Sequence, residues 1–303
     1  FLYSIKPDNM YVEFSISKKN GGERVICAPN DKLKAIQRKL AVILNMVYKT
    51  KPAAHGFVLD KNVATNAKGH VKKKYVFNID LENFFDQIHF GRVRGMLMKP
   101  PYNLGEEAAL VISQIACYKG KLPQGAPTSP ILTNMVCAPL DTQLTKLAKK
   151  YNLQYSRYAD DITFSTYKAD FPVEIAYVDF NGVHVGTVLE ELIKKNNFLI
   201  NYNKVRISDY RQRQIVTGLV VNQFVNLRRD YIKEIRALLY SCKVKGLLES
   251  AKLYVEKGKC KNPKIIEAVN SGKSEKEDEI INWFLQVLKG KIEYIKSIRG
   301  DNN

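Results

Sequence analysis

The sequence predicts an α+β core followed by an all-α C-terminal region. Three observations favour this class: short β runs joined by turn residues, stretches with helical periodicity between them, and a change to lysine-rich helical sequence from about residue 227. A length of 303 residues suits one large domain, or two to three subdomains that share a core.

The first third of the chain predicts a hairpin, a helix and a strand. Residues 11–28 contain two β runs on either side of the turn sequence NGG at 20–22. Residues 31–49 carry apolar side chains at helical spacing, with Asp31 as the predicted N-cap. Residues 75–80, YVFNID, predict a buried strand that ends on an aspartate.

The rest of the core predicts further helices and hairpins. Helices are predicted at residues 104–118, 130–150 and 187–196, hairpins at 155–165 and around 181–182, and β runs at 198–208 and 214–222. The charged stretch 271–279 predicts an exposed connection between helices.

The charge balance points to a polyanionic partner. The formal net charge is +18, and residues 227–303 alone hold 17 lysines and arginines against 11 aspartates and glutamates, a net charge of +6. This excess favours nucleic acid, with an anionic membrane surface as the weaker alternative. The five cysteines are scattered without a CxxC pair, which fits buried thiols in a reducing cytoplasm and argues against a zinc site or a disulfide framework.

Two adjacent aspartates, Asp160 and Asp161, interrupt the predicted hairpin RYADDITFS. Successive side chains of a strand face opposite sides, so both carboxylates can serve one site only where the strand turns. An aspartate pair alone is most often a solvated turn. Here Tyr158 precedes the pair, both flanks are apolar, and Asp80 ends a strand upstream. If the two elements are neighbours in one antiparallel sheet, three carboxylates meet at one edge.

Three clustered carboxylates suit hard divalent cations, because such ions prefer oxygen ligands and bind phosphates alongside carboxylates. Two ions about 4 Å apart hold the attacking and leaving oxygens of an in-line phosphoryl displacement. The pattern therefore predicts nucleotidyl transfer.

These segments resemble those of reverse transcriptases. YADD at residues 158–161 is similar to their YxDD box, Asp80 in FNIDLENFF to their first catalytic aspartate, and LPQGAPTSPILTN at 122–134 to their PQG block, in the family order. RVICAP at 24–29 resembles their fingers motifs. The resemblance spans about residues 10–225. It implies a right-hand polymerase, with fingers, a palm of antiparallel sheet and helices, and an α-helical thumb, that makes DNA on an RNA template.

Two further segments resemble retron reverse transcriptases. NAKGH at residues 66–70 matches the NAxxH signature, and Val216, Thr217 and Gly218 match the VTG signature. The resemblance implies that part of a structured non-coding RNA is copied into branched, RNA-linked multicopy single-stranded DNA, in anti-phage defence beside an effector protein. It also implies a bacterial cytoplasmic enzyme without a membrane partner, and RNA removal by a host RNase H.

The resemblance assigns the chemistry to individual residues. Asp80, Asp160 and Asp161 are expected to be catalytic. Together with the main-chain carbonyl of Ile79 they are expected to bind two Mg²⁺ ions, with Mn²⁺ as a substitute. Phe85 is expected to exclude the 2′-OH of ribonucleotides, with ordinary core packing as the alternative.

The dNTP is expected to contact four more residues. Gln124 and Gly125 shape the nucleotide pocket, where glycine permits a close backbone approach. Arg24 pairs with the triphosphate through its guanidinium fork. Lys204 protonates the leaving pyrophosphate or stabilises its charge, and a surface lysine is an equal alternative.

RNA-binding or retron-specific roles are expected for the two signatures and for a lysine run. For Asn66 and His70, RNA positioning and local structure are both open. Lys72, Lys73 and Lys74 are expected to contact phosphates, against a solvated surface as the alternative.

The expected division is fingers at 1–75 and 91–121, palm at 76–90 and 122–225, and a basic helical thumb at 226–303. The stretch 171–186 is longer than the link expected after the YxDD hairpin. It predicts an extra hairpin that contacts a partner or a second copy.

Two alternatives remain open from the sequence. One is another bacterial reverse transcriptase, of the group II intron-like or abortive-infection type, which the two signatures disfavour. The other is a catalytically silent RNA-binding scaffold, which the intact aspartates disfavour.

Overall fold

The computed structural model describes residues 7–17 and 21–300, in two compact units, Phe1–Thr217 and Gly218–Asn303. Residue 20 of the predicted NGG turn lies outside the described residues. Both flanking strands form as predicted, β1 (Tyr11–Ser17) paired antiparallel with β2 (Glu23–Pro29).

The first unit contains the remaining elements of an α+β core. Its helices are α1 (Asp31–Val47), α2 (Val63–Lys68), α3 (Phe90–Met98), α4 (Glu106–Ala116), α5 (Ser129–Tyr151) and α6 (Thr187–Lys195). Its further strands are β3 (Tyr75–Asp80), β4 (Gln154–Tyr158), β5 (Asp161–Thr166), β6 (Ala176–Asp179), β7 (Gly182–Val185), β8 (Arg206–Asp209) and β9 (Ile215–Val216).

A four-stranded antiparallel sheet of order β4-β5-β3-β8 organises this unit. Because side chains alternate along each strand, one face carries Phe77 opposite Phe164 and Ile79 opposite Ile162. These residues join a core cluster that also includes buried residues of α3, α4, α5 and α6. The opposite face carries polar residues, and this division positions the candidate site.

The second unit begins with β10 (Leu219–Val220) and continues as helices α7 (Arg229–Lys245), α8 (Leu247–Glu256), α9 (Pro263–Ser271) and α10 (Glu277–Arg299). Its own core includes Tyr254, Ile280 and Phe284. The predicted change to lysine-rich helices is confirmed. Within the described ranges, no helix combines the length and the apolar character that crossing a membrane requires.

Two local predictions differ from the structure. The N-cap of α1 is Asn30, whose Oδ1 accepts from the Leu33 amide at 3.0 Å, so Asp31 is the first helical residue. The predicted β run 198–208 is a strand only from Arg206, because a 3₁₀ turn at Tyr202–Lys204 interrupts it. The short helices α2 and α3 were not predicted from the sequence.

The predicted extra hairpin within residues 171–186 is confirmed as β6 paired with β7. Phe180 at its tip is 97% exposed. A contact between this hairpin and a partner stays a prediction.

Candidate active site

The turn between β4 and β5 brings the aspartate pair to the end of the sheet. Tyr158 pairs with Asp161, which leaves Ala159 and Asp160 as a two-residue loop. Ala159 has a φ of 54°, as the first loop residue of a type II′ turn requires. The Leu81 amide donates to the Asp160 carbonyl at 3.1 Å, which ties the turn to the end of β3.

This bond fixes where the third carboxylate lies. Leu81 and Asp160 form a hydrogen-bonded pair, so the next pair, Asp80 and Asp161, is a non-hydrogen-bonded pair. The Cα atoms of such a pair lie about 4.5 Å apart, with their side chains on the same face. The predicted meeting of the three aspartates at one sheet edge is therefore present in the structure.

Two of the three carboxylates, Asp160 and Asp161, have raised pKa values. Burial raises the pKa of Asp161 to about 7, and repulsion by Asp160 and Asp80 acts in the same direction. Burial also raises the pKa of Asp160, again helped by Asp80. Partly buried like charges of this kind are unfavourable without a cation.

Basic side chains surround this edge. Lys204 Nζ lies 2.9 Å from Asp80 Oδ1, and the lysine side chain is 55% exposed. The charges of Lys204 and Arg206 oppose the rise in the Asp161 pKa, and Arg24 opposes the rise in that of Asp160. Of the predicted nucleotide-binding residues, Lys204 and Arg24 are thus near enough to act on the carboxylates electrostatically.

Reverse transcriptases generally use divalent metal ions. The carboxylates of Asp80, Asp160 and Asp161 are chemically suited to bind such ions. Three carboxylates at one edge, two of them with raised pKa values, supply the oxygen ligands and negative charge that a hard cation prefers. Within residues 7–17 and 21–300, no group of three or more Asp, Glu, His or Cys side chains is already arranged as a metal site, so metal binding by these aspartates stays a prediction. Ile79 lies opposite Ile162 within the sheet, and its role as a ligand stays a prediction.

The PQG block packs against strand β2, which carries Arg24. The Gln124 carbonyl accepts from the Cys27 amide at 2.8 Å. Gly125 has a φ of +124°, and a Cβ there would lie 2.9 Å from the Cys27 carbonyl oxygen, so glycine is needed at this position. The contact explains how these distant segments can serve one pocket, and the pocket itself stays a prediction.

Phe85 is half-buried beside two other aromatic rings. Its centroid lies 5.5 Å from that of Phe84 and 6.4 Å from that of Phe57. It packs against the core cluster without being enclosed by it. This half-buried position is compatible with exclusion of the ribonucleotide 2′-OH and also with ordinary core packing.

A buried ion pair supports the hairpin and was not predicted from the sequence. Arg157 donates to both carboxylate oxygens of Asp141 at 2.7 Å, and both side chains are 0% exposed. The same guanidinium donates to the Ala159 carbonyl in the turn and to Asn134 Oδ1, each at 3.0 Å. The only sequence signal was an aspartate on the otherwise apolar face of α5.

Both signatures have buried side chains. Asn66, His70 and Val216 are each at most 1% exposed, which favours a role in local structure, and a role in RNA positioning stays a prediction. Thr217 donates to the Val63 carbonyl at 3.2 Å. Gly218 opens the second unit with a φ of +82°.

The lysine run lies at the opposite end of β3 from Asp80. Lys72 is exposed, and Lys73 Nζ lies 3.7 Å from the ring centroid of Tyr167. Lys74 Nζ donates to the Ala169 carbonyl at 2.8 Å. Their contact with RNA stays a prediction.

Comparison with known proteins agrees with these observations. Residues 16–221 match the family model described as reverse transcriptase (RNA-dependent DNA polymerase). The chain is 35% identical over 238 residues to the retron Ec86 reverse transcriptase of Escherichia coli, covering 77% of this chain and 70% of that protein.

Two relatives from Myxococcus xanthus are longer. The chain is 34% identical over 258 residues to the retron Mx162 reverse transcriptase, covering 77% of this chain and 53% of the relative. It is 33% identical over 246 residues to the retron Mx65 reverse transcriptase, covering 76% of this chain and 55% of the relative. The chain thus spans about half the length of these curated relatives.

Solved structures share the fold at low sequence identity. The apo telomerase of Candida tropicalis aligns with a TM-score of 0.52 and 12% identity, over 95% of this chain and 57% of that chain. The telomerase of Candida albicans, in complex with a fragment of telomeric RNA, aligns with a TM-score of 0.50 and 12% identity. The alignment covers 95% of this chain and 56% of the telomerase chain.

Proposed function

This chain belongs to the reverse transcriptase family, among the retron reverse transcriptases, and we propose that it is an RNA-directed DNA polymerase that makes branched, RNA-linked multicopy single-stranded DNA. The observation that carries the proposal is the pairing of Asp80 with Asp161, beside Asp160, at one end of an antiparallel sheet. The matched residues 16–221 include all three aspartates.

The three aspartates would hold two Mg²⁺ ions, or Mn²⁺ in their place, and such ions activate the attacking hydroxyl and stabilise the leaving oxygen. Asp80 and Asp160 would be the principal ligands, and Asp161 would have a more peripheral role. The hydroxyl, a 2′-OH for the first nucleotide and a 3′-OH thereafter, attacks the α-phosphate of a dNTP, and pyrophosphate leaves.

The basic neighbours have complementary proposed roles. Arg24 binds the triphosphate, and Lys204 moves from Asp80 to the leaving pyrophosphate when the nucleotide binds. Its high exposure and its position beside Asp80 support this exchange. Phe85 excludes the 2′-OH, while Gln124 and Gly125 shape the pocket beneath the incoming base pair.

The two units suggest the division of a right-hand polymerase. We assign the sheet and its helices, 76–90 and 122–225, to the palm, and 1–75 with 91–121 to the fingers. The helices from residue 226 onward form the thumb. This assignment rests on the family resemblance and on the all-α character of the second unit.

An exposed stripe along α7 supports a nucleic-acid partner. Arg229, Lys233, Arg236, Tyr240 and Lys243 repeat at intervals of four and three residues, so they lie on one helix face about 21 Å long. All five are exposed, and none of the four cations has an ion-pair partner within the described residues. Free cations with one aromatic ring suit an RNA backbone and a stacked base.

The proposal also covers partners that lie outside the chain. A structured non-coding RNA serves as template and primer, with Lys72, Lys73 and Lys74 among its phosphate contacts. Anti-phage defence with an effector protein, RNA removal by a host RNase H and a cytoplasmic location complete the proposed setting.

Co-expression of the chain with the RNA locus that neighbours its gene tests the proposal. We expect DNA joined to RNA through a 2′–5′ branch, which debranching enzyme converts to linear DNA, and no product from Asp160→Asn. Linear DNA alone would contradict the retron function. Absence of any RNA-templated synthesis by the purified wild type with Mg²⁺ and dNTPs would contradict the polymerase.

A further inference from the structure

The two signature segments meet on the short helix α2, beside the catalytic hairpin that β4 and β5 form. The NAKGH residues 66–70 begin in α2 and continue just beyond it, and Thr217 donates its hydroxyl to the carbonyl of Val63, the first residue of α2. A capping box between Asn62 and Thr65 fixes the start of this helix. The helix is therefore held at its N-terminal end by both its own cap and the second signature.

His70 bridges the two strands of the catalytic hairpin. Its Nδ1 lies 2.6 Å from Ser165 Oγ on β5, and its Nε2 lies 2.7 Å from Ser156 Oγ on β4. The histidine is 0% exposed and both serines are buried. Burial lowers the pKa of His70 to about 3, so the ring is neutral, with one nitrogen as donor and the other as acceptor.

These contacts lie on the face that carries the carboxylates. Ser156 is two residues before Tyr158, the partner of Asp161, and Ser165 is four residues after Asp161. With a side-chain period of two, Asp161, Ser156 and Ser165 share one face of the sheet. His70 therefore links the two strands three residues before and five residues after the Ala159–Asp160 loop.

The outer edge of β4 is held by a neighbouring segment. The His55 amide donates to the Arg157 carbonyl, and the Arg157 amide donates to the Ala53 carbonyl, each at 2.8 Å. A Cβ on Gly56 would lie 2.4 Å from the Ala159 nitrogen, so this segment contacts the turn itself. His55 Nδ1 in turn lies 3.0 Å from Thr65 Oγ1 of α2.

We propose that residues 53–70 form a positioning brace. In this brace, His70 fixes the position of Asp160 and Asp161 relative to Asp80. The inference goes beyond the proposed function and rests on it. Its physical reason is the charge at the turn. Two adjacent carboxylates facing a third repel one another, so contacts on both strands are needed to hold the turn in place. A displacement of about 1 Å at reacting groups can cost about a hundredfold in rate.

Steady-state kinetics on a primed poly(rA) template test the brace without requiring recognition of any specific RNA. His70→Leu leaves two buried hydroxyls without their ring partner. We expect kcat to fall about tenfold or more, with KM for dTTP within about twofold of the wild type. His70→Gln keeps a donor and an acceptor, and it should stay within about threefold of the wild-type kcat.

A matched pair of serine variants separates positioning from folding. Ser165→Ala should lower kcat about three- to tenfold, because it removes one end of the bridge. Ser113→Ala removes an equally buried hydroxyl that bonds only to the Ala109 carbonyl in α4, and it should leave kcat unchanged. Thermal unfolding of each variant identifies any that do not fold.

The outcomes are distinct. A folded His70→Leu protein with wild-type kcat, or equal effects of Ser165→Ala and Ser113→Ala, overturns the brace. So does a variant that keeps kcat on poly(rA) but binds its structured RNA at least tenfold more weakly, because His70 would then act in RNA recognition. A wild type that makes no DNA would instead contradict the proposed function.

Discussion

The catalytic hairpin, formed by β4 and β5, contacts acidic residues in two opposite ways. On the side that packs against α5, here called the base, Asp141 is fully enclosed, and its oxygens accept from Arg157 twice and from the Tyr155 hydroxyl at 2.7 Å. On the opposite side, at the tip, Asp161 faces Asp80 and adjoins Asp160, and its pKa rises to about 7 through burial and like charge. The same side-chain type is neutralised on one side of the hairpin and left in excess on the other.

The difference shows which side of the hairpin specifies structure and which side is available for chemistry. A buried carboxylate with a complete set of donors has no capacity for a further ligand. Carboxylates whose pKa values are raised by burial and by like charge, as those of Asp160 and Asp161 are, become more stable when a cation binds. We therefore expect substitutions at the base to alter stability, and substitutions at the tip to alter synthesis.

The largest expected effect is on synthesis by a tip variant. Asp160→Asn should lower RNA-templated DNA synthesis by about 10³-fold or more, because it removes a proposed metal ligand. Its free energy of unfolding in metal-free buffer should equal or exceed that of the wild type, because the substitution relieves repulsion. Primer extension and urea unfolding measure the two quantities. Near-wild-type synthesis would show that the metal assignment is wrong.

The base should respond in the opposite manner. Arg157→Leu leaves the Asp141 carboxylate buried without its cation, and we expect a loss of about 3–5 kcal/mol in the free energy of unfolding. The double variant Arg157→Leu/Asp141→Leu should recover much of this loss, because no charge remains buried. Urea unfolding of the three proteins measures it. A loss below about 1 kcal/mol in the single variant would mean that the pair does not support the hairpin.

Two adjacent phenylalanines, Phe84 and Phe85, show the same contrast between a residue that supports stability and a residue that affects synthesis, with smaller expected effects. Phe85→Val should lower the preference for dNTPs over rNTPs about tenfold or more, measured as the ratio of kcat/KM values. Phe84→Leu is the matched control, because Phe84 is 3% exposed and stacks on Phe198. It should lower stability and leave sugar selectivity unchanged. Equal selectivity in both variants would favour the packing alternative for Phe85.

A pH-dependent effect on stability is expected from His70. The folded-state pKa of about 3 lies below the unfolded value of about 6.5, so the unfolded state binds the proton first as pH falls. The free energy of unfolding should therefore decrease below pH 6.5, by up to about 1.4 kcal/mol per pH unit from this group. The His70→Gln variant lacks this titrating group. The difference between the free energies of unfolding of the wild type and the variant should therefore change as pH falls from 6.5 to 4. A constant difference would contradict a buried neutral imidazole.

Much of the tip was predictable because its signals are local. The strand 75–80 is an apolar run that ends on Asp80, and the YADD turn marks its own hairpin. The meeting of the three aspartates then required only that the strands pair antiparallel, which the structure shows.

The base was harder to predict because its contacts join distant residues. Arg157 and Asp141 lie 16 residues apart, and no periodicity indicates that they pair. The helix α2 has only six residues, which is too short for an apolar repeat, and its fixing contacts come from His55 and Thr217. The NAKGH signature was recognised from the sequence, but its burial and its bonds to the hairpin required the structure.

Binding of Mn²⁺ tests the central claim most directly. Electron paramagnetic resonance of free Mn²⁺ can count the ions bound in the presence of a primed RNA template and a non-hydrolysable dTTP analogue. We predict two ions per wild-type chain and at least about tenfold weaker binding by Asp160→Asn. The exposed-site control Asp170→Asn should match the wild type. Two ions bound by Asp160→Asn with wild-type affinity would contradict the assignment of these carboxylates as the metal site.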